Sequence, residues 1–360
     1  MSPSPIDNPA FRVLMKVLGL SPRDHEFRLE GSLESVQRIL FVDSGQFADL
    51  LFFLPVIQEI RERWPSVAVQ VMVEERWGDF LKREPGIEGI ILYDPESLRF
   101  RSSAYRKLLR EVKKRSFDAV VLMGTEDDSH RDLVAFASGV ALRAGAYSEG
   151  RERILNCMVR WTGKDRYRSC FAQELSRLLG LRYEALDWRY HFRPDEVRAA
   201  DQLIHFRKPS RDVLLIGVDP GAGLAEHQVV ESHLAFLLNH LTETLKARPL
   251  IFQIHGEKTG FRDKLRGDAL EMPPLGLRER LALLSRCDLF VAGNTELFHA
   301  ATAFGVPALG LFTDSDRPQW EPRNRPEISV LRGRPGEKIS LKEMDERVQV
   351  ILRAGRGVEG

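Results

Sequence analysis

Three short stretches of this chain hold side chains that could do chemistry. The first is the polar loop Asp43-Ser44-Gly45-Gln46, which leads into Asp49. Asp49 falls just after an expected strand and at the start of an expected helix. A carboxylate there can take a proton from a hydroxyl; the plainer alternative is a favourable negative charge near a helix N-terminus. The second stretch is Asn294-Thr295-Glu296 with His299. Unpaired backbone N–H groups at a helix start point at an anion, and Thr295 and His299, one turn apart, can add hydrogen bonds on the same side. The alternative is that Asn294 caps the helix and His299 is a partly buried core histidine. The third stretch is Pro220-Gly221-Ala222-Gly223, whose small residues let backbone amides approach an anion closely. A Gly-x-Gly turn by itself is more often only a tight turn.

These stretches need a framework that presents them. Cys287 to Thr313 reads strand, tight turn, helix, strand: Leu289-Phe290-Val291 is a short apolar run, Gly293-Asn294-Thr295 a turn and cap, and Glu296–Phe304 a helix with Leu297, Ala300, Ala301 and Phe304 on one face. Gly305-Val306-Pro307 stops it, and Ala308–Phe312 reads as the next buried strand. Upstream, strands are expected at Arg38–Val42, Val67–Val73, Ile90–Tyr93 and Ala119–Leu122, with helices between them; Phe47–Arg63 is the first, with Pro55 inside it. The alternation lapses between Gly180 and Arg211 and then restarts with strands at Val213–Val218 and Leu250–Ile254. Strand–helix alternation of this kind means α/β with parallel, doubly wound sheets. The domains read as an N-terminal extension over 1–36, a first domain over 37–190 and a second over 191–360; the closing helix over 341–354 is placed either in the second domain or back on the first.

Composition bounds the function. At 360 residues the chain suits two cores. With 43% hydrophobic and 29% charged residues it reads as globular, and a net charge of +1 argues against nucleic acid as a partner of the whole molecule. Cys157, Cys170 and Cys287 are too few and too scattered for a disulfide framework or a metal site and fit a reducing cytoplasm. No secretion signal and no apolar run of about 18 residues is present. Residues 99–115 carry eight basic side chains and one acidic, Glu111, around the stripe Tyr105, Leu108, Leu109 and Val112. A solvated helix with its stripe on the sheet is the preferred reading; a patch for anionic lipid is the sharper one. Trp77, Trp161 and Trp320 each read as packing residues.

The segment AGNTELFHAATAFGVPALGLF, followed by Leu311-Phe312-Thr313-Asp314-Ser315-Asp316-Arg317-Pro318 and Trp320-Glu321-Pro322, resembles the donor-site region of glycosyltransferase family nine, the bacterial ADP-heptose:lipopolysaccharide heptosyltransferases. Ser44 to Asp49, then Leu54-Pro55, is similar to that family's opening loop and Leu-Gly-Asp helix start, and Gly139 to Tyr147, with Arg143, is similar to its Gly-Ile-Pro-x-Arg-x-Gly-Tyr. The likeness covers nearly all of the chain after about residue 37. It implies a GT-B fold, two facing Rossmann-like doubly wound domains with a cleft between them. It further implies metal-independent, inverting transfer of a sugar, a heptose from ADP-heptose, to a lipopolysaccharide core or another glycan. Asp49 is then the base. Gly221, Ala222, Gly223, Asn294, Thr295, Glu296, His299 and Asp316 hold the donor diphosphate, with Trp320 beside them, and Ser44, Gly45, Gln46 and Arg143 lie on the acceptor side. No cofactor and no metal is expected. The partners are a nucleotide-sugar donor and a glycan or glycolipid acceptor, in a cytoplasmic protein with an optional peripheral contact to the inner membrane.

The chain departs from that pattern at identifiable places. The family's Lys on the first loop stands as Asp43, its Gly before the catalytic Asp as Ala48, its Asp in the donor turn as Asn294, and its Gly after Thr as Glu296. No Lys or Arg follows Gly223 before Val230, where the family has a cation. A carboxylate beside a diphosphate is repulsive. Two further readings therefore stand: a non-catalytic relative that binds or scaffolds, and a transferase that uses a different nucleotide sugar.

Overall fold

A computed structural model describes residues 36–98, 102–126, 128–149, 151–163, 166–181, 190, 192–205, 213–220, 228–252, 260–267, 269–272, 275–323, 325–333 and 340–356. Two compact units divide the chain: Met1–Gly163 with Arg168–Asp187, and Lys164–Tyr167 with Trp188–Gly360.

In the first unit, β1 (Arg38–Val42), β2 (Ala68–Glu74), β3 (Gly89–Tyr93), β4 (Ala119–Leu122), β5 (Leu142–Ala146) and β6 (Cys157–Val159) form a parallel sheet in the order β3-β2-β1-β4-β5-β6. The sequence of β1 dictates its central place. Leu40 and Val42 turn to one face and join Tyr105, Leu108, Leu109 and Val112 of α2 (Ser103–Lys114) and Leu133 and Val134 of α3 (Ser129–Ala137). Phe41 turns to the other, where its ring meets Phe53 of α1 (Phe47–Arg63), which in turn meets Phe171 of α4 (Ser169–Leu178). A strand apolar from Ile39 to Val42 is thus buried on both faces. Helix α1 continues through Pro55 as one element and buries most of its length. Helix α2 starts where the Ser102 hydroxyl accepts from the Tyr105 N–H at 2.9 Å.

The second unit repeats the plan. Strands β7 (Leu215–Asp219), β8 (Arg248–Ile251), β9 (Leu270–Glu271), β10 (Leu289–Ala292), β11 (Ala308–Thr313) and β12 (Ile328–Gly333) run parallel in the order β12-β11-β10-β7-β8-β9. One face packs on α6 (Gln228–Leu245) and α9 (Leu341–Arg356) through Leu234, Leu238, Leu241, Met344, Val348 and Ile351. The other carries α5 (Pro194–His205), α7 (Leu277–Leu284) and α8 (Glu296–Ala303), with Phe298 of α8 edge-on to Phe312 of β11. Gly310 makes that approach feasible, since a Cβ there would lie 2.9 Å from the Phe298 ring. Helix α9 packs on α6, β11 and β12 of its own unit.

Both sheets follow the order of a doubly wound nucleotide-binding fold, which places ligand crevices at the carboxyl ends of β1 and β4 in one unit and of β7 and β10 in the other. Among the described residues no helix is long and apolar enough to cross a membrane.

Candidate active site

The crevice of the first unit is built from the loop after β1. Gly45 has φ +75°, and a Cβ on it would sit 2.8 Å from Arg131 Nη2 and 2.9 Å from Glu74 Oε1, so the turn requires glycine. A pocket of about 380 Å³ opens here, lined by Ser44, Gly45, Gln46, Glu74, Asp128 and Arg131 among others.

Below the pocket lies a charged network. Asp43, 2% exposed, takes the Tyr93 hydroxyl at 2.5 Å, Arg131 Nε at 3.2 Å and the Glu74 N–H at 3.2 Å. Burial raises the Asp43 carboxyl above its usual range, outweighing Arg131 and the two other donors. Arg131 also reaches Glu74 at 3.4 Å and bonds Asp128 and Tyr93. Burial works against its charge, yet Asp43, Tyr93 and Asp128 raise its pKa. Burial likewise favours neutral Asp128, and Arg131 and two backbone N–H groups overturn that preference and keep its carboxyl low. Burial keeps His130, on the pocket rim, below the usual imidazole range. The Asp in the place of the family's lysine is therefore matched by a guanidinium from α3.

Asp49 is 1% exposed. Its two oxygens accept from Arg168 Nε and Nη2, each at 2.6 Å, and Oδ2 also accepts the Ser44 hydroxyl. Arg168, with no side-chain exposure, gives its third donor to Glu126 at 2.7 Å. The Ser44 oxygen accepts the Gln46 N–H at 3.2 Å, and the residue, half-buried, lines the pocket. Ser44, Gly45, Gln46 and Asp49 are thus brought together. Arg143 does not line this pocket; it is buried in β5, where its guanidinium donates to the carbonyls of Val140 and Ile154. That gives it a bracing role for the turn before β5 and for the chain entering β6.

In the second unit, β10 and β11 deliver Asn294, Thr295, Glu296, His299 and Asp316 to one place. Thr295 is the N-cap of α8, its hydroxyl accepting the Phe298 N–H at 3.3 Å. Asn294 donates from Nδ2 to Asp316 at 2.9 Å, and Asp316 also accepts the Thr313 N–H at 2.7 Å. Asn294 Oδ1 therefore faces His299 Nε2 at 2.9 Å, which assigns the proton to Nε2. The Tyr167 hydroxyl lies 3.0 Å from His299 Nδ1 and 3.0 Å from the Thr302 hydroxyl. His299, 4% exposed, has both ring nitrogens engaged, and its ring lies tilted against half-buried Trp320 with centroids 5.1 Å apart. Arg332 braces the loop by donating to the carbonyls of Thr313 and Asp316, each at 3.0 Å. The histidine therefore fixes the turn that a ligand would meet, and the α8 N-terminus with its aligned peptides is the anion-favouring feature. Glu296 sits in that first turn, where its charge favours the helix and opposes an anion. Gly221, Ala222 and Gly223 lie outside the described residues.

Arg168, Arg131, Tyr93 and Tyr167 were not marked by any motif. Arg168 and Tyr167 lie far in sequence from their partners; for Arg131 the sequence shows only that Asp43 stands where the resembled family has a lysine.

The family model of glycosyltransferase family 9 (heptosyltransferase) matches residues 105–348. Among solved structures, a family 9 glycosyl transferase of Veillonella parvula is similar at TM-score 0.71 and 14% identity, covering 88% of this chain and 97% of that one. The ADP-heptose lipopolysaccharide heptosyltransferase II of E. coli gives 0.64 and 18%, covering 89% and 99%. E. coli heptosyltransferase WaaC, solved with ADP-2-deoxy-2-fluoro heptose, gives 0.64 and 16%, covering 87% and 99%. The two parallel sheets and their helices have the GT-B fold of these transferases. The chain belongs to glycosyltransferase family 9, and as a member it is a transferase.

Proposed function

Starting from that family, we propose that the chain catalyses metal-independent, inverting transfer of a heptose from ADP-heptose to a lipopolysaccharide core or another glycan. The first unit holds the acceptor, with Ser44, Gly45 and Gln46 on the pocket wall and Asp49 as the eventual proton acceptor. The second holds the nucleotide sugar, with the α8 N-terminus and Thr295 toward the diphosphate and Asn294, His299 and Asp316 fixing that turn. The observation that carries this reading is that each unit has the feature its half of the reaction needs: a carboxylate at the start of the helix after β1 in the first, and a helix N-terminus at the carboxyl end of β10 in the second. The reaction takes place on the cytoplasmic side. The outward face of α2, with Arg106, Lys107, Arg110 and Lys114 exposed, offers a peripheral contact to an anionic inner-membrane surface.

Specific observations favour the other readings too. Asp49 is fully covered and His299 has both nitrogens engaged, as in a binding protein that has ceased to turn over. Glu296 and Asn294 change the charge of the donor turn, as a switch of nucleotide sugar would. Calorimetric titration with ADP, UDP, GDP and ADP-heptose separates them. Selective binding of ADP and ADP-heptose is expected; selective UDP or GDP binding would reassign the donor, and binding of none would leave the scaffold.

A further inference from the structure

We propose that Ser44 is a catalytic residue that relays the acceptor's proton to Asp49. The inference rests on the transferase reading and deepens it. Asp49 at 1% exposure is closed to a sugar hydroxyl, and both its oxygens are already engaged by Arg168 and Ser44. Ser44 is different: the residue is only half-buried, it lines the pocket, and its hydroxyl already donates to Asp49. The Gln46 N–H at 3.2 Å occupies one lone pair and leaves the other for a hydroxyl donor in the pocket. Gly124 lets the loop settle at this depth, since a Cβ there would lie 3.0 Å from Ser44 Cβ. Arg168 holds the Asp49 carboxylate in a bidentate grip that fixes which oxygen faces Ser44.

The step balances as follows. The acceptor oxygen bonds to the anomeric carbon while the carbon–oxygen bond to the diphosphate breaks, and that electron pair leaves with the diphosphate. The acceptor's proton passes to Ser44 Oγ as the Ser44 proton passes to Asp49 Oδ2. Two protons move in the one step, so no free alkoxide forms on serine.

The test follows ADP formation from ADP-heptose with core oligosaccharide as acceptor, under single turnover. Ser44→Ala is expected to lower the rate about 100-fold with donor KM unchanged, and Ser44→Thr to restore most of it. The rate of the unsubstituted protein in mixed H₂O and D₂O should bow downward as two moving protons require, a signature that a merely structural serine would not produce. That second measurement needs no variant, so a Ser44→Ala protein that failed to fold would not spare the relay. A Ser44→Ala rate equal to the parent's, or a straight isotope plot for the parent, overturns the relay and leaves the transferase standing. A parent protein that forms no ADP overturns the transferase reading, and the relay with it.

Discussion

Arg168 places a full positive charge where its side chain has no exposure at all, and Asp49 meets it with two hydrogen bonds of 2.6 Å. Attraction of that kind offsets desolvation only while both partners remain. Arg168→Met should therefore cost about 3–5 kcal/mol in urea denaturation, and adding Asp49→Leu should restore much of it. A single substitution as mild as an exposed ion pair's, under about 1 kcal/mol, would show that the pair is solvated. Gly45→Ala carries a different strain, a left-handed backbone and a methyl against Arg131 and Glu74. It should lose roughly 1–2 kcal/mol, visible as a lower denaturation midpoint with an unchanged slope; an unchanged midpoint would mean that the loop relaxes freely. None of these pairings is written in local sequence. Asp49 stood out because it opens a helix, but Arg168 lies 119 residues on, and proximity of that kind comes only from the fold. His299 and Thr295 share a face of one helix, as their spacing shows, but that the Thr295 oxygen serves the Phe298 N–H and the imidazole meets Tyr167 from 132 residues away is not written in that spacing.

Elements were far more legible than their contacts. Arg38–Val42, Ala119–Leu122 and Leu289–Ala292 are short runs with no polar alternation, and a strand buried on both faces needs that pattern. The α2 stripe of Tyr105, Leu108, Leu109 and Val112 is buried as its spacing requires. Less visible were β9, of two residues, and β12, where Ser329 and Arg332 interrupt the apolar run. Helix α5 is anchored by charge: Glu196 accepts from Arg278 of α7 at 2.5 and 3.1 Å and from the Arg193 N–H at 2.8 Å. Burial raises the Glu196 carboxyl, but Arg278 and that N–H outweigh it and hold the group below its ordinary 4.5. The folded value is the lower one, so this stabilisation is complete above about pH 4.5 and is lost as pH falls through the depressed folded value. Glu196→Gln should accordingly cost about 2 kcal/mol at neutral pH, and the gap should narrow in acid. Denaturation at pH 7 and pH 3 reads this directly; a gap that stays constant would mean that Glu196 titrates as it does unfolded.

On the scale of the whole molecule, each sheet repeats one strand order, and each order reverses at a crevice that collects polar residues. Alternating strands and helices announced two such sheets, and the resemblance in Asn294 to Trp320 announced which family uses them; the family model over residues 105–348 agrees. Chemistry is less legible than fold because similar backbones serve many reactions, and the deciding groups here are charges that depart from the resembled pattern: Asp43 with Arg131, and Glu296 in the first turn of α8. The most direct measurement is therefore transfer itself. ADP-heptose and core oligosaccharide would be incubated with the protein and with its Asp49→Asn variant, and the oligosaccharide weighed by mass spectrometry. The unsubstituted protein should add one heptosyl unit and the variant should fall by about 100-fold or more. An oligosaccharide left unchanged by a protein that folds and binds the donor, or a variant that transfers at the full rate, would contradict Asp49 as the group toward which the acceptor's proton moves.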